Sequence, residues 1–347
     1  MQNEEWDYLL KKFRRLGGTA ENIELQEGKN GRGVFSINPD ERSKIITPKN
    51  ILIKRSDIQL LNNTISIKAN SETANAEQEF IEHYYNELSW GNGGRSESQS
   101  FLSQIASMPI SIKNDLAKYR FIDSRILEYQ NNMDTLLERF IDERAFQFRG
   151  ESVLAPMLEL VNHSNYAPPF RATKAGLETP PINPTNSELL HKYSGKNSPM
   201  SLWRSYGFAS KSIATYSIPF EVSINQLSFT LRCFGQQEAG TERTNIGNSD
   251  SRILSIDSFP AGCQSHTLPL SYLISVISPM GANMGANFDI AKNLMIFIQN
   301  INIQAREKLL DTIQIQEKFQ APELCIALRH EIEMIQTSLV ATELSQP

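Results

Sequence analysis

Residues that build metal sites and disulfides are scarce in this sequence. Its 347 residues include three cysteines and five histidines. The cysteines Cys233, Cys263 and Cys325 lie far apart without a CxxC motif, and the histidines form neither HxxxH nor HExxH. We therefore predict no metal centre. We interpret the cysteines as small buried side chains of a protein in a reducing compartment.

Long apolar runs are also absent. No run approaches the roughly 18 residues that a membrane-spanning helix needs, so the sequence predicts no membrane association of that kind. The first segment, MQNEEWDYLLKKFRRLGG, lacks the apolar core of a signal peptide. It predicts an amphipathic helix with Trp6, Leu9, Leu10 and Phe13 on one side, ended by Gly17-Gly18. These features favour a cytoplasmic or nuclear location.

The sequence has no excess of positive charge. It has 34 Lys and Arg residues against 39 Asp and Glu residues, a formal net charge of −5. From residue 216 onward there are 8 basic and 13 acidic residues, so this part carries the whole net charge. An acidic surface repels phosphate backbones, which argues against a nucleic-acid partner. The acidic excess favours a basic protein partner, and ordinary solvation of a helical face is the alternative explanation.

Length and patterning predict two domains of mixed helix and sheet. The first, residues 1–215, is expected to hold small β-sheets and a helical insert at about residues 70–150. The second, residues 216–347, is expected to be mainly helical.

Local signals predict several elements within these domains. Strands are predicted at IELQEG and GRGVFSI, on either side of a turn at Gly28–Gly31. In the insert we predict a helix capped by Ser71, a loop at residues 90–100 and a long helical region over residues 115–148. The second domain has alternating strand patterns followed by two apolar helical stripes, the last beginning at Pro322.

Three polar clusters punctuate the first domain. Asn30-Gly31-Arg32-Gly33 contains two glycines that let the backbone approach a ligand, although most such triplets are turns and no GxGxxG fingerprint follows. Asn162-His163 ends an apolar segment, and Tyr193 and Tyr206-Gly207-Phe208 supply aromatic side chains. Taken singly, these clusters indicate a β-rich domain with a polar pocket, and they equally fit turns and core aromatics.

The order of the motifs is more specific than any one of them. Along the chain stand GRGVF at 31–35, ITPK at 46–49, RAF at 144–146, PMLELVNHS at 156–164, SE at 187–188 before Tyr193, and YGF at 206–208. This series resembles the SET-domain methyltransferases, most closely the branch of the Rubisco large-subunit lysine methyltransferases. The resemblance covers about residues 20–210, and the end of the chain is weakly similar to that branch's C-terminal substrate-binding domain.

The resemblance implies an α+β SET fold, with small β-sheets wound in a knot-like way around the helical insert. It also implies a site for S-adenosyl-L-methionine, with the backbone of Asn30, Gly31 and Arg32 facing the cofactor. Arg144 would pair with the methionine carboxylate, because a guanidinium suits a planar anion.

The NHS motif would hold the rest of the cofactor. The backbone of His163 would bind the adenine, and the side-chain amide of Asn162 would bind the methionine amino group. Tyr206 would also contact the cofactor, and together with Phe208 it would line the channel for the target side chain. On this interpretation the polar residues end a buried segment because a ligand satisfies them.

Tyr193 would be the catalytic tyrosine. The reaction is an in-line attack of a neutral amine on a sulfonium methyl group, so alignment supplies most of the catalysis. The Tyr193 hydroxyl and backbone carbonyls would align the amine and make weak C–H···O contacts with the methyl group.

Some features depart from the family pattern and leave alternatives open. Ser187 stands where the family has glycine before Glu188, and the connection at residues 171–186 is proline-rich. Lysine is the expected acceptor, and histidine is the alternative. A catalytically inactive SET-fold scaffold and a chance likeness in an unrelated β-rich protein are further alternatives. The sequence indicates no particular substrate protein, degree of methylation or oligomeric state.

Overall fold

The structure is a computed structural model. It describes residues 2–122, 124–127, 132–180, 188–193, 198–224, 227–231, 245–246, 252–256, 259–277, 284–316 and 318–346. The chain divides into two compact units, the first made of residues 1–103 and 130–195 and the second of residues 104–129 and 196–347. The domain boundary predicted between residues 215 and 216 stays a prediction.

Helices and short strands alternate along the chain, which confirms the predicted mixed class with small sheets. The α-helices of the described residues are α1 (Gln2–Arg15), α2 (Asn75–Tyr84), α3 (Arg95–Ser107), α4 (Ile110–Lys118), α5 (Ser124–Leu127), α6 (Met133–Arg144), α7 (Pro199–Tyr206), α8 (Leu268–Ile277), α9 (Met284–Ile315) and α10 (Pro322–Leu344). The strands are β1 (Thr19–Glu21), β2 (Ile23–Gly28), β3 (Gly31–Ser36), β4 (Lys44–Pro48), β5 (Ile53–Lys54), β6 (Ile58–Leu61), β7 (Thr64–Ile67), β8 (Ala145–Phe148), β9 (Glu151–Leu154), β10 (Asn162–His163), β11 (Arg171–Ala172), β12 (Gly176–Glu178), β13 (Leu190–His191), β14 (Ala214–Tyr216), β15 (Phe220–Ile224), β16 (Leu227–Leu231), β17 (Asn245–Ile246), β18 (Arg252–Ile256) and β19 (Pro260–Cys263).

The first unit opens with the predicted amphipathic helix. Trp6, Leu9, Leu10 and Phe13 of α1 are buried. Acidic residues occupy its first turn and basic residues its last, which suits the helix dipole. The chain then turns at Gly17, whose φ of 89° costs a glycine little.

The sheets of the first unit have two to four strands each. β2 and β3 form the predicted antiparallel hairpin, closed where Gly28 pairs with Gly31. β4 lies between β1 and β12, with β11 at the edge of the same sheet, and β9 lies between β5 and β8. β10 and β13 run parallel to each other.

The start of the helical insert differs from the expectation. The predicted Ser71 cap is wrong, because the N-cap of α2 is Ala74. The Ser71 hydroxyl instead forms hydrogen bonds with the side chains of Asp57 and Thr73. The loop predicted at residues 90–100 is also wrong. A π-type turn over Tyr85–Gly94, interrupted at Asn92 and Gly93, leads directly into α3.

The single long helical region predicted over residues 115–148 is broken into separate elements. Arg120 adopts a φ of 55°, and the N–H of Phe121 donates to the carbonyl of Leu116, so α4 ends in a left-handed turn. α6 starts afresh where the Asn132 side chain accepts from the N–H of Thr135 at 2.8 Å. The last four residues of the region form β8.

One short segment links two sheets of the first unit. Leu189 donates its N–H to the carbonyl of Val34 on β3 at 2.7 Å, and the following β13 then pairs with β10. The β2–β3 hairpin and the NHS motif therefore lie on either side of residues 188–193. The knot-like threading implied by the resemblance stays a prediction, because residues 181–187 and 194–197 lie outside the described residues.

The second unit has its own core of helices packed on a sheet. β15, β16, β18 and β17 form a four-stranded sheet, and α8, α9, α10 and β19 pack together around buried residues such as Phe259, Leu273 and Leu294. α10 begins at Pro322 as predicted. Within the described residues no helix is both long and apolar enough to cross a membrane.

A buried ion pair connects two helices of this unit. Nε of Arg306 on α9 lies 2.7 Å from Oε2 of Glu331 on α10, and both side chains are 1% exposed. Arg306 also donates to the carbonyl of Tyr216 and to Asn302. Oε1 of Glu331 accepts from the N–H of Met200. Each charged group is thus hydrogen-bonded on several sides.

Candidate active site

The β2–β3 hairpin carries the first polar motif. Gly31 ends its turn at a φ of 84°, in the left-handed region that glycine adopts at little cost. Gly33 is needed for a different reason. A Cβ atom at this position would lie 2.5 Å from Nδ2 of Asn162 and 3.0 Å from Oε1 of Glu188. Side chains of the site, rather than backbone strain, therefore exclude a larger residue at position 33.

Asn30, Asn162 and Glu188 form a hydrogen-bonded group, which we call the amide–carboxylate cluster. Nδ2 of Asn162 donates to Oε1 of Glu188 at 2.8 Å and to the carbonyl of Arg32 at 3.3 Å. Nδ2 of Asn30 donates to Oε2 of Glu188 at 2.9 Å. The Glu188 carboxylate, for which no role was predicted, thus joins two predicted cofactor residues, Asn30 and Asn162. Asn162 also bonds to the backbone of a third, Arg32.

His163 and Tyr193 pack side by side, with ring centroids 4.9 Å apart. Nδ1 of His163 accepts from the backbone N–H of Tyr193 at 3.2 Å, and its Nε2 lies 3.0 Å from Oδ1 of Asn165. Burial lowers the pKa of His163 more than the hydrogen bond to Asn165 raises it, so the ring is neutral at neutral pH. A neutral imidazole has one donor and one acceptor, which places the proton on Nε2.

Neutral groups also surround the other side of Tyr193. Its hydroxyl lies 3.5 Å from the carbonyl of Val161, and its ring centroid lies 4.6 Å from that of His191. His191 is 2% exposed and stacks on Phe170 with centroids 3.5 Å apart. Burial holds the pKa of His191 well below its ordinary value. The packing therefore fixes the Tyr193 ring without placing a histidine cation beside it.

Arg144, at the end of α6, has a separate environment. Its guanidinium lies over the Phe140 ring at 4.4 Å and contacts the carboxylates of Glu143 at 2.9 Å and Glu97 at 3.3 Å. Burial lowers the pKa of Arg144, but the carboxylates of Glu143, Glu159 and Glu97 outweigh burial and raise it. Among the described residues Arg144 shares no hydrogen bond with the amide–carboxylate cluster.

Arg32, Tyr84, Tyr85, Ser89 and Glu159 form a buried group, which we call the Glu159 cluster. Both oxygens of Glu159, the three hydroxyls and Nη1 of Arg32 are buried and form no well-aligned hydrogen bond. The Ser89 and Tyr84 hydroxyls still lie near enough to lower the pKa of Glu159, which burial raises overall. Burial and the neighbouring carboxylate raise the pKa of both tyrosines. Buried polar atoms in such number are commonly bridged by water.

Tyr206 and Phe208 belong to the second unit, whereas the other predicted site residues belong to the first. Tyr206 ends α7, and Gly207 closes that helix at a φ of 78°. The rings of Tyr206 and Phe208 have centroids 6.1 Å apart. Their roles toward a cofactor and a target side chain stay predictions.

Metal-ligating and thiol side chains are scattered in the part of the chain that is described. No group of three or more His, Cys, Asp or Glu side chains there could hold a metal ion. Cys263 and Cys325 are free, and Cys233 lies outside the described residues.

By sequence, the chain matches no family model and no curated protein. By structure, however, it is similar to several solved structures of a SET-domain protein. The SET domain of LSMT bound to lysine and AdoHcy has a TM-score of 0.47 and 14% identity, and Rubisco LSMT bound to AdoMet has a TM-score of 0.48 and 15% identity. A third, Rubisco LSMT bound to sinefungin and monomethyllysine, has a TM-score of 0.47 and 14% identity.

Each of these comparisons covers 98% of this chain and 91% of the other. At such low identity, and with TM-scores under 0.5, the chemistry of this chain has to be inferred from its own residues.

The sequence held signals for two residues whose importance emerges only in three dimensions. Glu188 precedes a short strand in the motif that leads to Tyr193, which marks it as part of the site but not as the partner of Asn162. Glu159 is a lone acid among apolar neighbours in PMLELV, a pattern that indicates a buried charge.

Proposed function

We propose that this chain is an S-adenosylmethionine-dependent protein methyltransferase whose acceptor is a lysine side chain. One observation carries the proposal. The hairpin motif, the NHS motif and Tyr193 are remote in sequence, yet their polar atoms bond to one another around residues 188–193. A shared ligand would account for the meeting of polar groups from three motifs at one place.

The chemistry of the residues fits this cofactor. Nδ2 of Asn162 is used by two acceptors, which leaves Oδ1 for an ammonium group. Arg144 supplies a cation for a carboxylate. Its contact to Glu97 is long, and the Glu97 side chain is 72% exposed, so an incoming carboxylate can replace it. When bound, the cofactor supplies a methyl group on a sulfonium sulfur.

The chain's own residues then bind, orient and desolvate the acceptor. The Tyr193 hydroxyl and the Val161 carbonyl, 3.5 Å apart, offer two oxygen atoms that can hold an approaching amine in line. Neutral His163 and His191 add no positive charge beside it. An amine in such a desolvated place loses its proton more readily, because burial lowers the pKa of a lysine.

Cofactor binding tests the proposal most directly. We expect saturable calorimetric binding of S-adenosylhomocysteine by the full chain, weakened at least tenfold, roughly the value of a hydrogen bond to a charged group, in Asn162→Ala. Asn300→Ala is the matched control, since Asn300 is exposed on α9 and bonds only to a carbonyl of its own helix. Absence of binding by the folded wild type would overturn the proposal.

Methyl transfer provides the second test. With tritiated S-adenosylmethionine and a cell extract, we expect labelled protein that carries methyllysine by mass spectrometry. Tyr193→Phe should reduce labelling on the order of 100-fold, because alignment is lost, and leave S-adenosylhomocysteine binding intact. Methylhistidine in the product would assign the alternative acceptor. Cofactor binding without any labelling would favour an inactive scaffold. A cytoplasmic or nuclear location belongs to the same proposal.

A further inference from the structure

We propose that Glu188 is a positioning residue, whose carboxylate fixes the Asn162 amide so that its oxygen faces the α-ammonium group of the cofactor. The inference rests on the proposed function and deepens it. It concerns a residue that acts through Asn162 rather than one that performs the chemistry.

The first step is the orientation of the Asn162 amide. An amide has a donor end and an acceptor end, and its orientation must follow from the hydrogen bonds around it. The two neighbours of this amide, Oε1 of Glu188 and the carbonyl of Arg32, are both acceptors. Only the NH₂ end can therefore face them, and Oδ1 must point the other way. An oxygen directed outward suits a ligand with an N–H donor.

The second step is the fixation of Glu188 itself. Its other oxygen accepts from Nδ2 of Asn30, so the two amides hold the carboxylate from both ends. The backbone on either side is tied to β3, because Phe35 pairs with Glu188 and Leu189 donates to the carbonyl of Val34. Hydrogen bonds at both oxygens and a backbone tied to β3 restrict the carboxylate, although its bond to Asn30 is exposed, and a restricted carboxylate can orient a neighbouring amide.

The third step is the charge of the cluster. Among the described residues no Lys, Arg or His side chain forms an ion pair with Glu188. Within these residues the carboxylate therefore accepts only from neutral amides, and no ion pair competes with its hydrogen bond to Asn162. Its effect on the α-ammonium of the proposed cofactor passes through the orientation of the Asn162 amide.

The fourth step is the space that the cluster needs. Gly33 lies against both Asn162 and Glu188, so close that a single Cβ atom would press on Nδ2 of Asn162 at 2.5 Å. Gly33 has an ordinary strand pairing with Gln26, so its replacement by alanine disturbs the cluster and not the hairpin.

The experiment compares two ligands across a small set of full-length variants. S-adenosylhomocysteine has the α-ammonium group, and 5′-methylthioadenosine lacks it along with the carboxylate. Glu188→Ala removes the carboxylate. Glu188→Gln keeps an acceptor for Asn162. Glu151→Ala, at an exposed position of β9, is the matched control. Circular dichroism checks that each variant is folded.

We expect Glu188→Ala to weaken S-adenosylhomocysteine binding about tenfold, a loss typical of a hydrogen bond to a charged group, and to leave 5′-methylthioadenosine binding within twofold. Glu188→Gln should stay within about threefold of the wild type. In the Asn162→Ala background, Glu188→Ala should cause little further loss, because a residue that acts through another is not additive with it. Gly33→Ala should resemble Glu188→Ala.

Several results would overturn the inference while leaving the proposed function in place. One is an equal loss of both ligands in Glu188→Ala. Another is a full tenfold loss from Glu188→Ala in the Asn162→Ala background, which would mean that the carboxylate contacts the ligand directly. If the folded wild type binds neither ligand, the proposed function itself fails, and the inference fails with it.

Discussion

Two buried carboxylates, one in each unit, differ in how completely they are hydrogen-bonded. In the second unit, Glu331 is paired with Arg306, and the pair is completed by a backbone N–H, a carbonyl and Asn302. In the first unit, both oxygens of Glu159 are buried and form no well-aligned hydrogen bond, although the Ser89 and Tyr84 hydroxyls lie nearby. The same side chain thus has well-aligned partners in one place and only poorly aligned ones in the other.

Under the proposed function, the difference separates a structural network from the surroundings of the candidate active site. A buried charge whose hydrogen bonds are complete serves to hold helices together. A buried charge left incomplete costs stability, and such sites persist where function requires them. Glu159 lies three residues before Asn162 and influences the pKa of Arg144, so its cluster belongs with the candidate active site.

The largest effect is expected in the satisfied network. Glu331→Ala leaves the Arg306 guanidinium buried without its counter-charge, so it should lower the free energy of unfolding by about 3–5 kcal/mol. Chemical denaturation of the full chain measures this. Glu333→Ala is the control, because its pair with Lys211 is exposed at 64% and 66%, and it should lose less than about 1 kcal/mol. Equal losses of unfolding free energy in Glu331→Ala and Glu333→Ala would contradict the stabilising role given to the buried ion pair.

The free energy of unfolding measured as a function of pH should report on the buried side chain of His191 in the first unit. His191 is buried with Nδ1 unpartnered, and burial holds its pKa well below the ordinary value. Below about pH 6.5 the unfolded chain gains a proton at His191 that the folded chain refuses. Stability should therefore fall as the pH drops below that value, by up to about 1.4 kcal/mol per pH unit.

His191→Asn removes this titration, and the slope of unfolding free energy between pH 6.5 and 5.5, about one unit below the ordinary histidine pKa, should become smaller than in the wild type. The variant's absolute stability can also change, because the ring stacks on Phe170, but only the slope reports the proton. Parallel pH profiles for wild type and variant would contradict the assignment.

The smallest effect is expected at Glu159 itself. Burial raises the pKa of this carboxyl, so its ionised form lowers the stability of the fold as the pH rises through that pKa. Glu159→Gln should therefore change the free energy of unfolding at neutral pH by less than about 1 kcal/mol, or increase it. Glu331→Gln is the matched substitution and should lose several times more. A large loss in Glu159→Gln alone would show that the charge is well partnered.

Much of the local structure follows from the sequence. The spacing of Trp6, Leu9 and Phe13 predicts α1, and Pro322 predicts the start of α10, because helix faces and first turns have local signatures. The breaks inside the helical insert escape such patterns. Arg120 ends α4 with a left-handed φ that arginine rarely adopts, so its residue type gave no signal.

The site divides in the same way. The motifs name Asn30, Arg32, Asn162 and Tyr193 through their order along the chain. They do not indicate that Gly33 makes room for the Asn162 amide, or that Glu188 joins Asn162 to Asn30. These contacts connect residues between 26 and 158 positions apart, separations over which local propensities carry no information.

The sequence by itself determined the mixed class of small sheets and helices, the β2–β3 hairpin and the long C-terminal helices, and it named some of the polar residues in the candidate site. These depend on local periodicity, turn chemistry and motif order. Only the tertiary structure decided which carboxylate holds which amide, which histidine stays neutral and which buried acid lacks well-aligned partners. Such properties depend on distances, burial and desolvation between remote segments, and those arise only when the chain is folded.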